Sequence, residues 1–132
     1  MSQNPRFLTI DEVIEIHNIE IRVAGGLSGI RDRNILESAV AAPKATFNAD
    51  FLMDIFEMAA TYLNSIALNH PFLDGNKRTA LASALTFLFM NGYEIDEIYE
   101  EELADRTLDL INGKLSKSEL TDFFKTRSKE ID

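Results

Sequence analysis

Hydrophobic residues recur along this chain at intervals of three and four, the spacing of one face of a helix. Polar residues that favour helix starts precede several of these stretches. Thr9 with Glu12, and Ser116 with Glu119, are spaced as capping boxes, and Asp32 is placed as an N-cap. The alternating pattern of strands is nearly absent. The pattern therefore predicts an all-α fold of about six helices.

Two segments in the middle of the chain are the most hydrophobic. One apolar stripe belongs to a helix that runs into His70, and it contains Phe51, Leu52, Ile55, Phe56, Ala59, Leu63, Ile66 and Ala67. Farther along, Thr79 to Met90 is apolar on nearly every side, as in a helix enclosed by other helices. We therefore expect a compact array around a buried central helix at Thr79–Met90, which Asn91-Gly92 ends.

A polar loop separates these two segments, and it reads His70-Pro71-Phe72-Leu73-Asp74-Gly75-Asn76-Lys77-Arg78. Pro71 disfavours helical angles at the preceding residue, so the first helix should end at His70. Gly75 permits a tight turn and the close approach of a ligand. The backbone N–H groups that open the next helix favour an anion, and Lys77 and Arg78 add two positive charges. The loop predicts a phosphate site.

Three further side chains of this loop suggest chemistry at that site. His70 can be neutral near pH 7 and could accept a proton from an attacking hydroxyl group. Asp74 suits Mg²⁺, which binds one or two carboxylates together with phosphates; the alternative is an ordinary Asp-Gly turn. We expect Asn76 to cap the helix and also to face the phosphate. The predicted phosphate ligands are thus Gly75, Asn76, Lys77 and Arg78.

Composition narrows the classes of function. The chain has 132 residues, which is the size of one domain, and a formal charge of −9. Such a surface repels nucleic acid, so direct nucleic-acid binding is not expected. The absence of cysteine is compatible with a reducing compartment. We expect a cytoplasmic protein, because neither a signal peptide nor a run of membrane-spanning length is found.

The residues of this loop carry a resemblance to a known family. The string His70-x-Phe72-x-Asp74-Gly75-Asn76-Lys77-Arg78 resembles the motif of the Fic/Doc (Fido) superfamily, and specifically its Doc branch of death-on-curing toxins. Segments on both sides also resemble Doc, including Ile55-Phe56-Glu57, Ala60-Thr61-Tyr62-Leu63, Thr79-Ala80-Leu81, and Gly25-Gly26-Leu27 with Gly29. The resemblance implies one Fido domain over residues 1–132, with ATP and Mg²⁺ as nucleotide and metal.

Departures from the Fic branch affect the expected reaction. Lys77 stands where Fic adenylyltransferases typically have glycine, and Leu81 where they have a second arginine. Resemblance to Doc implies transfer of the terminal phosphate of ATP to a Thr or Ser hydroxyl, with elongation factor Tu as the target and translation arrest as the result. Two alternatives stay open: a Fic-type adenylyltransferase, and a catalytically silent module that binds a nucleotide or a partner.

The resemblance also suggests regulation and a target-binding segment. No glutamate here is followed by Gly or Asn, as the inhibitory motif of many Fic proteins requires, so self-inhibition by that route is not expected. The resemblance to Doc instead implies inhibition in trans by a small antitoxin. Lys44 to Asp50 corresponds to the flap of Fido proteins, with Phe47 exposed; the alternative is a connector with one packed phenylalanine. We expect His17 to be an ordinary surface or boundary residue, and Gly25 to Gly29 to be a connector.

Overall fold

The computed structural model describes residues 4–131, most of which are helical. The helices are α1 (Ile10–Ala24), α2 (Arg33–Ala41), α3 (Ile55–Asn69), α4 (Asn76–Met90), α5 (Glu100–Ile111) and α6 (Lys117–Arg127). The strands form two antiparallel pairs, β1 (Thr46–Phe47) with β2 (Asp50–Phe51), and β3 (Tyr93–Ile95) with β4 (Ser128–Glu130). The prediction of about six helices is confirmed.

Capping side chains determine where several helices begin. The Thr9 hydroxyl accepts a hydrogen bond from the Glu12 N–H, and the Glu12 carboxylate accepts one from the Thr9 N–H. Ser116 and Glu119 form the same reciprocal pair at the start of α6, and Asp32 caps α2. Each pair satisfies backbone donors that a helix start leaves free. These three predicted starts are confirmed.

The start of α3 differs from the prediction. Asp54 caps this helix by accepting a hydrogen bond from the Glu57 N–H at 2.8 Å, so the helix begins at Ile55. Phe51 and Leu52, which we placed on its apolar stripe, precede the helix and are exposed. The stripe was extended too far because spacing alone does not distinguish a helical turn from two apolar residues that precede a cap.

Helix α3 occupies the centre of the core. From Met58 to Ala67 every residue except Asn64 is buried, and the helix packs against α2, α4 and α6. Burial raises the pKa of Tyr62 to about 12. The Tyr62 hydroxyl accepts a hydrogen bond from the Leu8 N–H at 3.0 Å, which ties the segment before α1 to the core. The loop at the end of α3 therefore follows directly from a helix that is buried in the core.

Helix α4 is less enclosed than its composition suggests. One face is buried, with Ala80, Ala84 and Phe87 fully inaccessible, whereas Phe89 is 61% exposed and Leu85 is 36% exposed. The prediction that Thr79–Met90 is enclosed on all sides is therefore wrong for this face. The buried central helix of the array is α3, because it has neighbours on more of its sides.

The two strand pairs were not predicted from the sequence. Their strands contain only two or three residues each, which is too short for an alternating pattern to be recognised. The pairing of Tyr93 with Glu130 joins the chain after α4 to the chain after α6. Within residues 4–131, no helix combines the length and apolar character needed to cross a bilayer.

Candidate active site

His70 ends α3 in a left-handed conformation. Its φ and ψ angles are 49° and 58°. The helix ends here, as the sequence predicted from Pro71, which follows His70 and disfavours right-handed helical angles at it. The side chain of Arg31 holds this end in place, because its Nε–H donates to the His70 carbonyl at 2.6 Å and its guanidinium also donates to the Asn69 carbonyl at 2.9 Å. His70 itself is exposed. Its imidazole is therefore accessible at the rim of the loop on a fixed backbone.

Asn76 fastens the loop rather than capping the helix. Its Oδ1 accepts the Phe72 N–H at 2.9 Å, and its Nδ2–H donates to the Phe72 carbonyl at 2.9 Å. The N-cap of α4 is instead Gly75, with φ of 72° and ψ of 19°. The prediction that Asn76 caps is therefore wrong, because its amide is occupied by the loop backbone. Its backbone N–H remains part of the opening turn of α4.

The start of α4 offers donors for an anion. Within the described chain no side chain caps this helix, so the N–H groups of its first turn have no side-chain acceptor. A pocket of about 470 Å³ opens over this turn, and its walls are formed by His70, Leu73, Asp74, Gly75, Asn76, Lys77 and Arg78. All six residues that the sequence predicted for the site thus line one pocket. The helix dipole and Lys77 make it favourable for phosphate.

Arg78 lies between the pocket and helix α1. Its guanidinium donates to the Gly25 carbonyl at 2.9 Å and to the Glu20 carbonyl at 3.4 Å. These carbonyls belong to the C-terminal end of α1, where the helix dipole favours a cation. A guanidinium has five N–H donors, so these two bonds leave others for a phosphate. The side chain is half-buried and thus serves the fold as well as the pocket.

Asp74 presents an ionised carboxylate beside this pocket. Its Oδ2 accepts the Leu27 N–H at 3.1 Å and its Oδ1 accepts the Gly75 N–H at 2.8 Å. These two donors, with Leu27 the larger effect, hold the pKa of Asp74 below its usual value. Each oxygen keeps a free lone pair, so the group fits a Mg²⁺ ligand that shares the ion with phosphates. No cluster of three metal-binding side chains occurs within residues 4–131, and Mg²⁺ bound in this way requires none.

His17 is buried, so the prediction of a surface or boundary position is wrong. The expected surface or boundary residue is 1% exposed and lies directly beneath the loop. Its ring stacks on Phe72 with a centroid distance of 3.9 Å and an angle of 4°, and its Nε2 is 2.8 Å from the Asp74 carbonyl oxygen. The sequence does contain an indication that His17 is buried, because Val13, His17 and Ile21 are spaced by four and so lie on the apolar stripe of α1.

The glycine-rich connector after α1 runs beside the loop from His70 to Arg78, which we call the motif loop. The Leu73 N–H donates to the Gly29 carbonyl at 3.0 Å, and the Arg31 N–H donates to the Pro71 carbonyl at 2.8 Å. Ile30 and Phe72 form an isolated antiparallel bridge between these bonds. The segment is thus a connector, as expected, and it is also the wall against which the motif loop is built.

The predicted flap is a short hairpin. Strands β1 and β2 are joined by Asn48 and Ala49, both with positive φ. Phe47 is 66% exposed, which confirms that it is exposed and excludes the alternative of a packed phenylalanine. The hairpin precedes α3, the helix that ends at His70.

Comparison with known proteins agrees with this geometry. Residues 7–88 match the model of the family described as Fic/DOC family. The chain is 38% identical over 117 residues to the protein named Protein kinase doc of Escherichia phage P1, covering 89% of this chain and 91% of that protein. It is 43% identical over 89 residues to Toxin Doc of Mycolicibacterium smegmatis, covering 67% and 66% respectively. The chain belongs to the Fic/DOC family.

Proposed function

We propose that this protein is a Doc-type toxin that acts as a protein kinase on a Thr or Ser hydroxyl. One observation carries the proposal: a candidate base, a candidate Mg²⁺ ligand and an uncapped helix start line the same pocket. The relatives named Protein kinase doc and Toxin Doc support the same class of activity. The phosphate donor in this proposal is ATP.

The residues of the pocket divide the reaction between them. His70 takes the proton from the target hydroxyl while the hydroxyl oxygen forms a bond to the terminal phosphorus of ATP. The bond between that phosphorus and the oxygen of ADP breaks on the opposite side, and ADP leaves. The first turn of α4, with Lys77 and Arg78, binds the phosphate oxygens and stabilises their charge. Asp74 would hold Mg²⁺, which when bound neutralises charge on the phosphates. Arg31 and Asn76 bind the backbone of His70 and of Phe72, and so they hold the loop that carries these groups.

The position of the nucleotide separates a kinase from an adenylyltransferase. Leu81 is half-buried in a groove of about 380 Å³ next to Arg78, at the place where Fic adenylyltransferases have a second arginine. An apolar side chain cannot make the bidentate phosphate contact of a guanidinium. Positive charge is instead concentrated at Lys77 and Arg78, at the helix start. We therefore expect the nucleotide to lie differently from that in Fic adenylyltransferases, and the relative named Protein kinase doc supports transfer of the terminal phosphate.

The biological setting follows from the same class. We propose elongation factor Tu as the target, with translation arrest as the effect, and a small antitoxin that inhibits the protein in trans. We also propose a cytoplasmic location, because the proposed phosphate donor and the proposed target are both found there. Nucleic acid and membranes are not part of the proposal.

The decisive experiment is incubation of the protein with elongation factor Tu, Mg²⁺, and ATP labelled at either the γ or the α phosphate. Label from the γ position supports the kinase. Label from the α position alone would establish an adenylyltransferase, and binding of ATP without transfer would establish a silent module. His70→Ala should slow transfer roughly a hundredfold to ten-thousandfold.

A matched pair of lysine variants tests the proposed phosphate-binding role of Lys77. Lys77 lines the pocket, whereas Lys114 is an exposed lysine outside it, so both alanine variants change the net charge equally. Lys77→Ala should weaken transfer at least tenfold, and Lys114→Ala should leave it unchanged. Equal rates in the two variants would remove Lys77 from the proposed site.

A further inference from the structure

His17 is a buried polar side chain that the proposed reaction does not use. It is 1% exposed, and its ring is parallel to that of Phe72 at 3.9 Å. A buried imidazole needs partners for its nitrogens, because burial of an unpaired polar group is costly. The partner of Nε2 is the backbone carbonyl of Asp74, 57 positions later in the chain. His17 thus joins α1 to the motif loop at the residue that bears the candidate Mg²⁺ ligand.

This hydrogen bond determines the orientation of one peptide group. A carbonyl oxygen can only accept, so the proton lies on Nε2 of His17. The C=O and N–H of a trans peptide point in opposite directions. With the Asp74 carbonyl turned towards α1, the Gly75 N–H of the same peptide points the other way and donates to Oδ1 of Asp74 at 2.8 Å. The imidazole and the carboxylate therefore hold the two ends of one peptide group.

The same orientation keeps the Asp74 carbonyl bound to His17 instead of free to face the pocket. The carbonyls of Pro71, Phe72 and Asp74 all accept hydrogen bonds from groups of the protein. A carbonyl that rotated into the pocket would bring its negative end towards the phosphate oxygens and take the neighbouring N–H away from them. The Asp74 carbonyl immediately precedes Gly75, a residue with positive φ whose backbone is conformationally permissive, and its hydrogen-bond partner is a side chain outside the motif.

We infer that His17 is a positioning residue of the active site, which fixes the Asp74–Gly75 peptide so that the Asp74 carboxylate faces the phosphate pocket. The inference rests on the proposed function, because it assigns His17 to the same pocket. Removing the Nε2 donor leaves the Asp74 carbonyl without its partner and lets the peptide rotate. The carboxylate then loses the Gly75 N–H and leaves its place beside the phosphates. His17 acts through Asp74 and does not touch the substrate.

Three variants separate this role from simple packing. His17→Phe keeps the ring and its stacking on Phe72 but removes the donor. His17→Gln carries a side-chain N–H at a reach similar to that of Nε2, whereas His17→Asn carries the same amide one carbon shorter. The Gln and Asn variants therefore differ only in reach, and they provide the comparison if His17→Phe does not fold.

The first measurement is kinetic. Phosphate transfer is recorded against Mg²⁺ concentration at saturating ATP, beside urea unfolding of each variant. A positioning role predicts that His17→Phe and His17→Asn lower kcat or raise the half-saturating Mg²⁺ concentration by about tenfold to a hundredfold, as is typical when the support of a metal ligand is lost. His17→Gln should recover most of this loss. A structural role alone predicts lower stability with unchanged kcat and Mg²⁺ dependence, and that result would overturn the inference.

The second measurement does not depend on activity. The backbone amides of Leu27 and Gly75 both donate to the Asp74 carboxylate, so their ¹⁵N–¹H signals report its position. Both signals should move in His17→Phe and His17→Asn and return towards the wild-type positions in His17→Gln. Unchanged signals in all variants would overturn the inference. If the wild-type protein transfers no label while these signals move as expected, the proposed function fails and the positioning of Asp74 stands.

Discussion

Replacing Gly26 with alanine should displace the Asp74 carboxylate and thereby separate the activity of this protein from its stability. A Cβ atom at Gly26 would lie 2.7 Å from Oδ2 of Asp74 and 3.2 Å from its Cγ, so one of the two groups has to move. That Oδ2 is the atom that accepts the Leu27 N–H. Asp74 is exposed and can swing into solvent, so we expect the carboxylate to be the group that yields.

Gly26→Ala should have two effects, a loss of stability from backbone strain and a loss of activity from the displaced carboxylate, and a control variant can separate them. Gly26 has a φ of 117°, and a side chain at such an angle costs about 1–3 kcal/mol of stability. Gly92 has a φ of 91° with nothing within 4 Å of a Cβ atom, so Gly92→Ala measures this backbone cost alone. Gly26→Ala should lose at least as much stability as Gly92→Ala, because it also breaks the hydrogen bond from the Leu27 N–H to Asp74. Only Gly26→Ala should also slow phosphate transfer, by about tenfold to a hundredfold, because only it moves the proposed Mg²⁺ ligand.

The assay is urea unfolding of both variants together with γ-phosphate transfer at several Mg²⁺ concentrations. Additional Mg²⁺ should restore part of the activity of Gly26→Ala, because displacement of the carboxylate weakens Mg²⁺ binding and a higher concentration offsets the weaker binding. Equal transfer rates in Gly26→Ala and Gly92→Ala would refute the reasoning, because the contact with Asp74 would then have no consequence for the site.

Three further predictions concern individual contacts. Arg31→Ala should slow transfer at least tenfold in the same assay, because the backbone of His70 loses its support, whereas the exposed control Arg33→Ala should not. The lowered pKa of Asp74 means that its ionised carboxylate stabilises the fold at pH values above the usual pKa of 3.8. In urea unfolding, the difference in free energy of unfolding between the wild type and Asp74→Asn should therefore shrink as the pH falls below about 4. Thr79→Val should leave stability unchanged or raise it by about 1 kcal/mol in thermal unfolding, because within residues 4–131 the buried Thr79 hydroxyl has no hydrogen-bond partner.

Local chemistry made a large part of this molecule predictable. A capping box joins residues three positions apart, so Thr9 and Glu12 specify a helix start wherever the helix finally packs. The end of α3 at His70 and the start of α4 beyond Gly75 depend on the backbone preferences of Pro71 and Gly75 themselves. The six candidate site residues fall within nine consecutive positions at the turn from α3 to α4, so they lie close together in the chain before any distant segment packs against them.

Other features depended on which segments meet in space. His17 and Asp74 are 57 positions apart, and Arg31 and His70 are 39 positions apart, so no local pattern shows that they are hydrogen-bonded. Packing also decided which helix became the centre of the core, since α3 and α4 are both apolar and only their neighbours distinguish them.

The sequence by itself therefore determined the helices, the motif loop and the chemical groups available there, because these follow from interactions between residues close along the chain. The tertiary structure alone decided how that loop is held. Its carbonyls are bound by His17 and Arg31, and its carboxylate by the Leu27 N–H. Such contacts form only after packing against the core has brought distant segments together.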